Sequence, residues 1–167
     1  RRYRFENRFI IGTVARFIEW KGYLDIITVV EAVVRAVPEA LFVWAGAGEQ
    51  RALLETLIKA KNLEGNILIL GRIENALMPS FYGAMDVYLH AATMEPFGFV
   101  IAEALMAGLP VVSTATGAAR DAIDHKHSGW LAGYNDTRSL AEGILYFHER
   151  RPEKPFLAAQ KTAIEMY

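Results

Sequence analysis

The 167-residue chain is 53% apolar, so it is long enough to bury one core and too short to suggest two domains. With 18 Lys and Arg residues against 19 Asp and Glu residues, its formal charge of −1 gives no broad basic surface, and we expect no nucleic-acid partner. The absence of cysteine excludes disulfides, thiolate metal ligands and a cysteine nucleophile.

Strands and helices are predicted to alternate along the chain. Residues 9–15 form an apolar, β-branched run, which is typical of a strand buried on both faces of a parallel sheet. Apolar residues at helical spacing predict a helix over residues 23–37, which Pro38 ends. The same patterns predict strands at residues 40–45, 66–70, 86–91, 110–114 and 129–132, and helices at residues 49–61, 75–83, 98–107, 118–124 and 137–150.

This alternation predicts one α/β domain over residues 1–150, with a Rossmann-like doubly wound parallel sheet, followed by a helical tail over residues 151–167. In such sheets, ligands bind at the carboxyl ends of the strands. Functional side chains are therefore expected in the loops after residues 15, 45, 70, 91 and 114. No apolar run approaches ~20 residues, so we expect no membrane-spanning helix.

Two of these loops carry residues suited to an anionic ligand. Arg16 and Lys21 flank the start of the first predicted helix, and two cations beside free helix amides suit a diphosphate. Spacing alone equally allows both residues to be ordinary surface charges. Gly46 and Gly48 follow the second strand and match part of a dinucleotide-binding glycine pattern, but the third glycine is absent from its place, which makes this signal weak.

The loop and helix after the fourth strand are the most informative stretch. Glu95 precedes the helix, Gly98 lets the backbone approach a ligand, and Glu103 lies about one turn beyond the free amides. Carboxylates accept hydrogen bonds from hydroxyls, so this pattern favours a sugar and a ribose on either side of a diphosphate. The alternative is that Glu103 is a solvated helix residue. His90 could contact the ligand or be a hydrogen-bonded structural histidine.

The two glutamates, with seven residues between them, resemble the Glu-x7-Glu motif of retaining glycosyltransferases of family 4. The match runs through Glu95-Pro-Phe-Gly and Glu103-Ala-Leu-Met-Ala-Gly-Leu-Pro-Val-Val. Other loops resemble the family in the same order: Gly12 to Gly22 as the donor-phosphate loop, Gly46 and Gly48 as the second glycine turn, and Gly71 with Arg72 as the third loop. The resemblance covers residues 9–150.

The resemblance implies a GT-B fold, in which two Rossmann-like domains face a cleft. This chain would be the C-terminal, donor-binding half, with the N-terminal acceptor domain absent. Family members transfer a hexosyl group from a nucleoside-diphosphate sugar to a glycan or lipid-linked acceptor, with retention of configuration and without a metal or other cofactor. The isolated half is expected to be inactive. The resemblance implies a cytoplasmic enzyme, with any membrane association made through the missing half.

The resemblance also assigns roles to individual residues. Arg16 and Lys21 would neutralise the diphosphate leaving group, and Glu95 would hold hydroxyls of the donor sugar. Glu103 would hold the ribose hydroxyls. The remaining nucleotide-sugar contacts would come from the loops, at Gly46, Gly48, Arg72, Phe97, Gly98, Phe99 and Val100.

Some features depart from the family pattern or leave other functions open. The family's Gly-Gly-x-x-Glu stretch is Gly117-Ala-Ala-Arg-Asp121 here, which favours a non-catalytic binding module as one alternative. A GT-B phosphorylase or a nucleotide-sugar epimerase is another, since both share the fold. His125 and His127 lack a nearby third ligand, so no metal site is predicted.

Overall fold

The computed structural model describes residues 8–150, and the tail predicted over residues 151–167 lies outside this range. Six parallel strands form one sheet in the order β3-β2-β1-β4-β5-β6. The strands are β1 (Phe9–Val14), β2 (Ala40–Ala45), β3 (Ile67–Gly71), β4 (Val87–His90), β5 (Val111–Thr114) and β6 (Gly129–Ala132). The predicted Rossmann-like, doubly wound α/β fold is confirmed.

Six α-helices connect and cover the strands within the described residues. They are α1 (Tyr23–Ala36), α2 (Arg51–Ala60), α3 (Met78–Gly83), α4 (Phe99–Met106), α5 (Gly117–Ala122) and α6 (Thr137–Arg150). Two 3₁₀ turns, Glu19–Lys21 and Asn75–Leu77, precede α1 and α3. The first lies in a predicted loop and the second at the start of a predicted helix, because short 3₁₀ segments commonly precede α-helices and carry no apolar periodicity of their own.

The sheet is covered on both faces, which is why its strands read as continuous apolar runs. Phe9 and Ile11 pack into a cluster with α1, α2 and α6. Ile10, between them in the sequence, packs on the opposite face with α3, α4 and α5. The alternation follows from the two-residue period of a strand. Burying both faces fixes the register and holds the strand ends in place.

The chain order reverses between β1 and β4, which are neighbours at the middle of the sheet. Their ladder registers Ile11 with Val87 and Gly12 with Tyr88. Beyond it, the Tyr88 hydroxyl lies 3.2 Å from the Val14 carbonyl, to which it donates, and 3.4 Å from the Val14 amide. A parallel sheet opens a crevice at such a reversal, on the side of the carboxyl ends. Tyr88 thus joins the two strands directly under that crevice.

Candidate functional site

A cavity of about 520 Å³ opens at the carboxyl ends of β1, β2 and β3 and faces the start of α4. Its volume falls within the range of ~300–1,000 Å³ that is typical of small-molecule sites. Its walls come from α4 and from four of the five loops that the sequence singled out; the loop after β5 contributes no lining residue. The lining residues are Val14, Ala15, Arg16, Lys21, Ala45, Gly46, Ala47, Arg72, Ile73, Asn75, Met78, Glu95, Phe99, Val100 and Glu103.

Arg16 and Lys21 both line the cavity, on the loop between β1 and α1. Lys21 ends the 3₁₀ turn, and Gly22 follows in the left-handed region at φ 72°. A Cβ atom on Gly22 would lie 2.1 Å from the Ala91 carbonyl oxygen, so only glycine lets this loop pack on the end of β4. The close approach brings Lys21 to the side of the cavity that carries Glu95, although 74 residues separate them.

The two glycines after β2 have different positions. Gly46 lines the cavity at φ 148°, where a Cβ atom would lie 1.9 Å from the Ala15 carbonyl oxygen. Gly48 is not among the lining residues; its Cα packs against the backbone of Phe17. Gly48 therefore lets the second loop lie close to the first, and its contribution to the cavity is indirect.

Glu95 is the most heavily hydrogen-bonded carboxylate in the cavity wall. Its Oε2 lies 2.6 Å from Lys21 Nζ and 3.3 Å from His90 Nε2, and its Oε1 accepts from the Gly98 amide at 3.2 Å. The hydrogen bond from His90, together with those from Lys21 and Gly98, holds the pKa of Glu95 well below its usual range against the opposing effect of burial. Glu95 is therefore ionised at neutral pH.

His90 lies behind Glu95, outside the cavity lining, with a side chain that is 3% exposed. Its Nδ1 is 3.2 Å from the Ser113 hydroxyl, which donates to the Thr114 carbonyl at 2.8 Å. The pairing of β4 with β5 places His90 beside Ser113. These contacts fit the interpretation of His90 as a hydrogen-bonded structural histidine. The contact with Glu95 also lets His90 position a carboxylate of the site. A histidine that ends a buried strand was the only sequence signal for it.

The start of α4 presents backbone amides to the cavity. Gly98 caps the helix at φ 66°, and a Cβ atom there would lie 2.6 Å from the Ala118 Cβ. The first amides of a helix have no intrahelical acceptor, and those of Phe99 and Val100 belong to residues that line the cavity. Phe97 and Gly98 are not lining residues. The Phe97 ring stacks on that of Phe99 at 5.8 Å, and both rings are largely exposed.

Glu103 lies on α4, on the second turn, and lines the cavity. The Tyr82 hydroxyl donates a hydrogen bond to Glu103 Oε2 at 2.7 Å. Tyr82 comes from α3 and is 2% exposed. Sequence inspection missed Tyr82, because nothing in its local sequence distinguishes it from a core aromatic residue.

The loop after β3 contributes further lining residues. Arg72 is exposed and lines the cavity together with Ile73, Asn75 and Met78. The cavity wall thus carries three cations, Arg16, Lys21 and Arg72, and two carboxylates. This excess of positive charge, together with free helix amides, favours an anionic ligand that also bears hydroxyls.

The described part of the chain contains neither a metal-binding cluster nor a membrane-spanning helix. No group of three or more His, Cys, Asp or Glu side chains between residues 8 and 150 is arranged to hold a metal ion. Over the same residues, no helix has both the length and the apolar character needed to cross a bilayer.

Comparison with known families identifies the kind of domain. The sequence pattern of the family "Glycosyl transferases group 1" matches residues 2–162, nearly the whole chain. The chain belongs to the glycosyl transferases group 1 family. Within this family, the 2-deoxystreptamine N-acetyl-D-glucosaminyltransferase of Niallia circulans is 27% identical over 129 residues, which cover 77% of this chain and 33% of the relative.

Solved structures of group 1 and similar glycosyltransferases share the fold. HepE of Anabaena in complex with UDP-glucose is 29% identical, with a TM-score of 0.79 over 96% of this chain and 44% of HepE. The C-terminal domain of the group 1 protein LpcC of Francisella tularensis is 24% identical, with a TM-score of 0.77 over 84% of this chain and 75% of that domain. The chain spans about a third of the length of the curated relatives it matches.

Proposed function

We propose that this chain is the donor-binding domain of a retaining glycosyltransferase and binds a nucleoside-diphosphate sugar in the cavity beside α4. The observation that carries the proposal is the arrangement of the charged groups. Cations lie on the loops after β1 and β3, and the two carboxylates lie before and within α4, on either side of its free amides. This order suits a ligand with a diphosphate between two hydroxyl-bearing rings.

The diphosphate is the leaving group of the proposed reaction. When the bond between the anomeric carbon and the diphosphate oxygen breaks, negative charge develops on that oxygen. Arg16 and Lys21 would stabilise this charge, assisted by the amides of Phe99 and Val100. An acceptor hydroxyl would form the new bond at the anomeric carbon and give its proton to the departing diphosphate oxygen. We propose retention of configuration and no metal ion in this transfer.

Glu95 is proposed to hold hydroxyls of the donor sugar. Lys21 and His90 occupy Oε2, while Oε1 accepts only the Gly98 amide among the described residues. A carboxylate oxygen has two lone pairs, so Oε1 keeps capacity for a sugar hydroxyl. Because its donors keep Glu95 ionised, its carboxylate acts only as an acceptor, which suits it to bind hydroxyls. Glu103, within α4, would hold the ribose, and Gly46 with Arg72 would flank the nucleotide.

The relatives guide the choice of donor and acceptor. HepE is described in complex with UDP-glucose, which makes a uridine diphosphate hexose the first donor to test here. An N-acetylglucosaminyltransferase acting on 2-deoxystreptamine and an alpha-monoglucosyldiacylglycerol synthase are among the relatives. These names describe transfer to an aminocyclitol and to a lipid, and we propose a glycan or lipid-linked acceptor for the complete enzyme.

An N-terminal acceptor-binding domain is proposed to complete the enzyme. Catalysis by proximity requires both substrates in one cleft, and the cavity of the described residues is open to solvent. The 167-residue chain should therefore bind donor without transferring sugar at a useful rate.

Calorimetric titration of the chain with UDP, GDP and ADP, each beside its glucose and mannose conjugates, tests the proposal. We expect one base to be preferred and the Glu103→Ala variant to lose most of the affinity. Folded wild-type protein that binds none of these ligands would contradict a donor site in this chain. It would favour the alternative of a non-catalytic module.

A further inference from the structure

Tyr82 is a buried tyrosine whose hydroxyl donates a hydrogen bond to Glu103, a residue that lines the cavity. This hydroxyl lies 2.7 Å from Glu103 Oε2, and the residue is 2% exposed. Burial, before all other causes, raises the pKa of Tyr82, and Tyr88 and Glu103 act in the same direction. The hydroxyl therefore stays protonated at neutral pH and remains a donor. Because its acceptor is a carboxylate, the hydrogen bond is of the strong, charge-assisted kind.

The position of Tyr82 is fixed by packing. Its ring meets those of Phe81 and Tyr88 edge to face, with centroid distances of 6.1 and 5.8 Å. Tyr88 in turn bonds the backbone of Val14 on β1. Tyr82 is thus attached to the rigid middle of the sheet. Glu103, by contrast, is an exposed helix residue whose long side chain would otherwise sample many rotamers.

Tyr82 and the proposed ligand approach Glu103 from different sides. A second cavity of about 500 Å³ lies between α3 and α4 and is lined by Tyr82 and by Glu103. Glu103 also lines the main cavity, and Tyr82 does not. Within residues 8–150, Glu103 Oε1 has no hydrogen-bond partner. Tyr82 therefore holds Glu103 Oε2 from the side of the second cavity, and Glu103 Oε1 remains available to a ligand in the main cavity.

We propose that Tyr82 is a positioning residue, which holds the Glu103 carboxylate in the orientation that receives the ribose hydroxyls of the nucleotide. The proposal rests on the proposed function, because it takes Glu103 as the ribose ligand. Tyr82 itself does not touch the nucleotide. It fixes the rotamer of Glu103 before the ligand arrives, so that binding does not have to order this side chain.

The test compares Tyr82→Phe with wild type in titrations with UDP, GDP and ADP and with the 2′-deoxy form of each. For the base that binds, we expect Tyr82→Phe to lose on the order of tenfold in affinity, the usual effect of a hydrogen bond to a charged group. The preference for the ribonucleotide over its 2′-deoxy form should fall as well. In a Glu103→Ala background, Tyr82→Phe should have no further effect on affinity.

A merely structural role for Tyr82 predicts other results. Tyr82→Phe would then lower the melting temperature and leave the ratio of ribonucleotide to 2′-deoxynucleotide affinity at its wild-type value, which would overturn the inference. An equal loss of affinity with and without Glu103 would overturn it too. Failure of the proposed function is distinguishable, because it appears in the wild type as no nucleotide binding or as no effect of Glu103→Ala alone.

Discussion

Lys21 Nζ lies 2.6 Å from Glu95 Oε2, so the cation proposed for the diphosphate and the carboxylate proposed for the sugar contact each other in this structure. Both side chains are largely buried, at 16% and 12% exposure. Each neutralises the other until a ligand binds. In the proposed function, the diphosphate would offer Lys21 a second anionic partner beside the first, while His90 and Gly98 continue to donate to Glu95.

Replacing Lys21 should therefore weaken binding of the diphosphate. We expect Lys21→Met to reduce the affinity for the preferred nucleoside diphosphate by roughly tenfold or more, because a charge-assisted contact is lost. Titration calorimetry measures this. Lys61→Met is the matched control, since Lys61 pairs with Glu31 at 2.8 Å on the surface and is not in the cavity lining. Equal losses in the two variants would mean that the effect is one of net charge alone.

The low pKa of Glu95 makes the stability of the protein depend on pH. The pKa in the folded state lies below the ordinary value of 4.5, chiefly through the hydrogen bond from His90. The contribution of Glu95 to the free energy of unfolding is therefore fully present above that ordinary value. It is lost progressively as the pH falls below 4.5 toward the folded-state pKa.

Glu95→Gln should remove this dependence. We expect the variant to be less stable than wild type at neutral pH, and the difference to shrink as the pH is lowered. Urea unfolding at a series of pH values measures it, with the exposed Glu49→Gln as control. A difference between Glu95→Gln and wild type that is constant with pH would contradict the origin we assign to it.

His90 should control the ionisation of Glu95. His90→Leu removes the donor to Glu95 and the partner of Ser113, and leaves two buried polar groups with a hydrogen bond missing. We expect a loss of about 1–3 kcal/mol of stability. The pKa of Glu95, followed by NMR of labelled glutamate carboxyl groups, should rise toward its ordinary range. His90→Gln, which retains an N–H donor, should recover part of both effects. An unshifted Glu95 pKa in His90→Leu would rule out this role.

Gly98 should be required for two separable reasons. Gly98→Ala places a Cβ atom 2.6 Å from the Ala118 Cβ and strains a backbone at φ 66°. Gly108 has φ 77°, and a Cβ atom added there would meet nothing within 4 Å. Gly108→Ala therefore reports strain alone, about 1–2 kcal/mol. We expect Gly98→Ala to cost more stability, and also to weaken nucleotide binding.

Adding Ala118→Gly to Gly98→Ala removes the contact and leaves the strain. The double variant should therefore approach the stability loss of Gly108→Ala in thermal unfolding. If the double variant is no more stable than Gly98→Ala, the contact with Ala118 is not the source of the excess.

The sequence predicted the order of the elements because strands buried on both faces and amphipathic helices leave distinct apolar periods. It also predicted which loops meet, because parallel strands end at one edge of the sheet. The side-chain contacts within the site could not be predicted from the sequence pattern. Lys21 and Glu95 are 74 residues apart, and Tyr82 and Glu103 are 21 apart on different helices. Whether such side chains touch depends on how far each loop folds over its strand.

Gly46 and Gly48 also show that local sequence does not predict which residues border the cavity. The patterns around Gly46 and Gly48 look alike in the sequence, yet one borders the cavity and the other packs on Phe17. Their difference comes from the neighbouring loop, which no local pattern encodes.

The hydrogen bonds between Tyr88 and Val14 tie β1 to β4 where the chain order of the sheet reverses. Val14 lines the cavity, so we expect this part of the wall to keep its shape whichever nucleotide the proposed donor carries. In the proposed function, base preference would then depend on the side chains of the loop that carries Arg72 and Asn75, which also line the cavity. Exchange of that loop between relatives should transfer the preference and leave the sheet intact. We expect a donor-binding domain built in this way to acquire a new donor through changes in a few loop residues, without a change in its sheet.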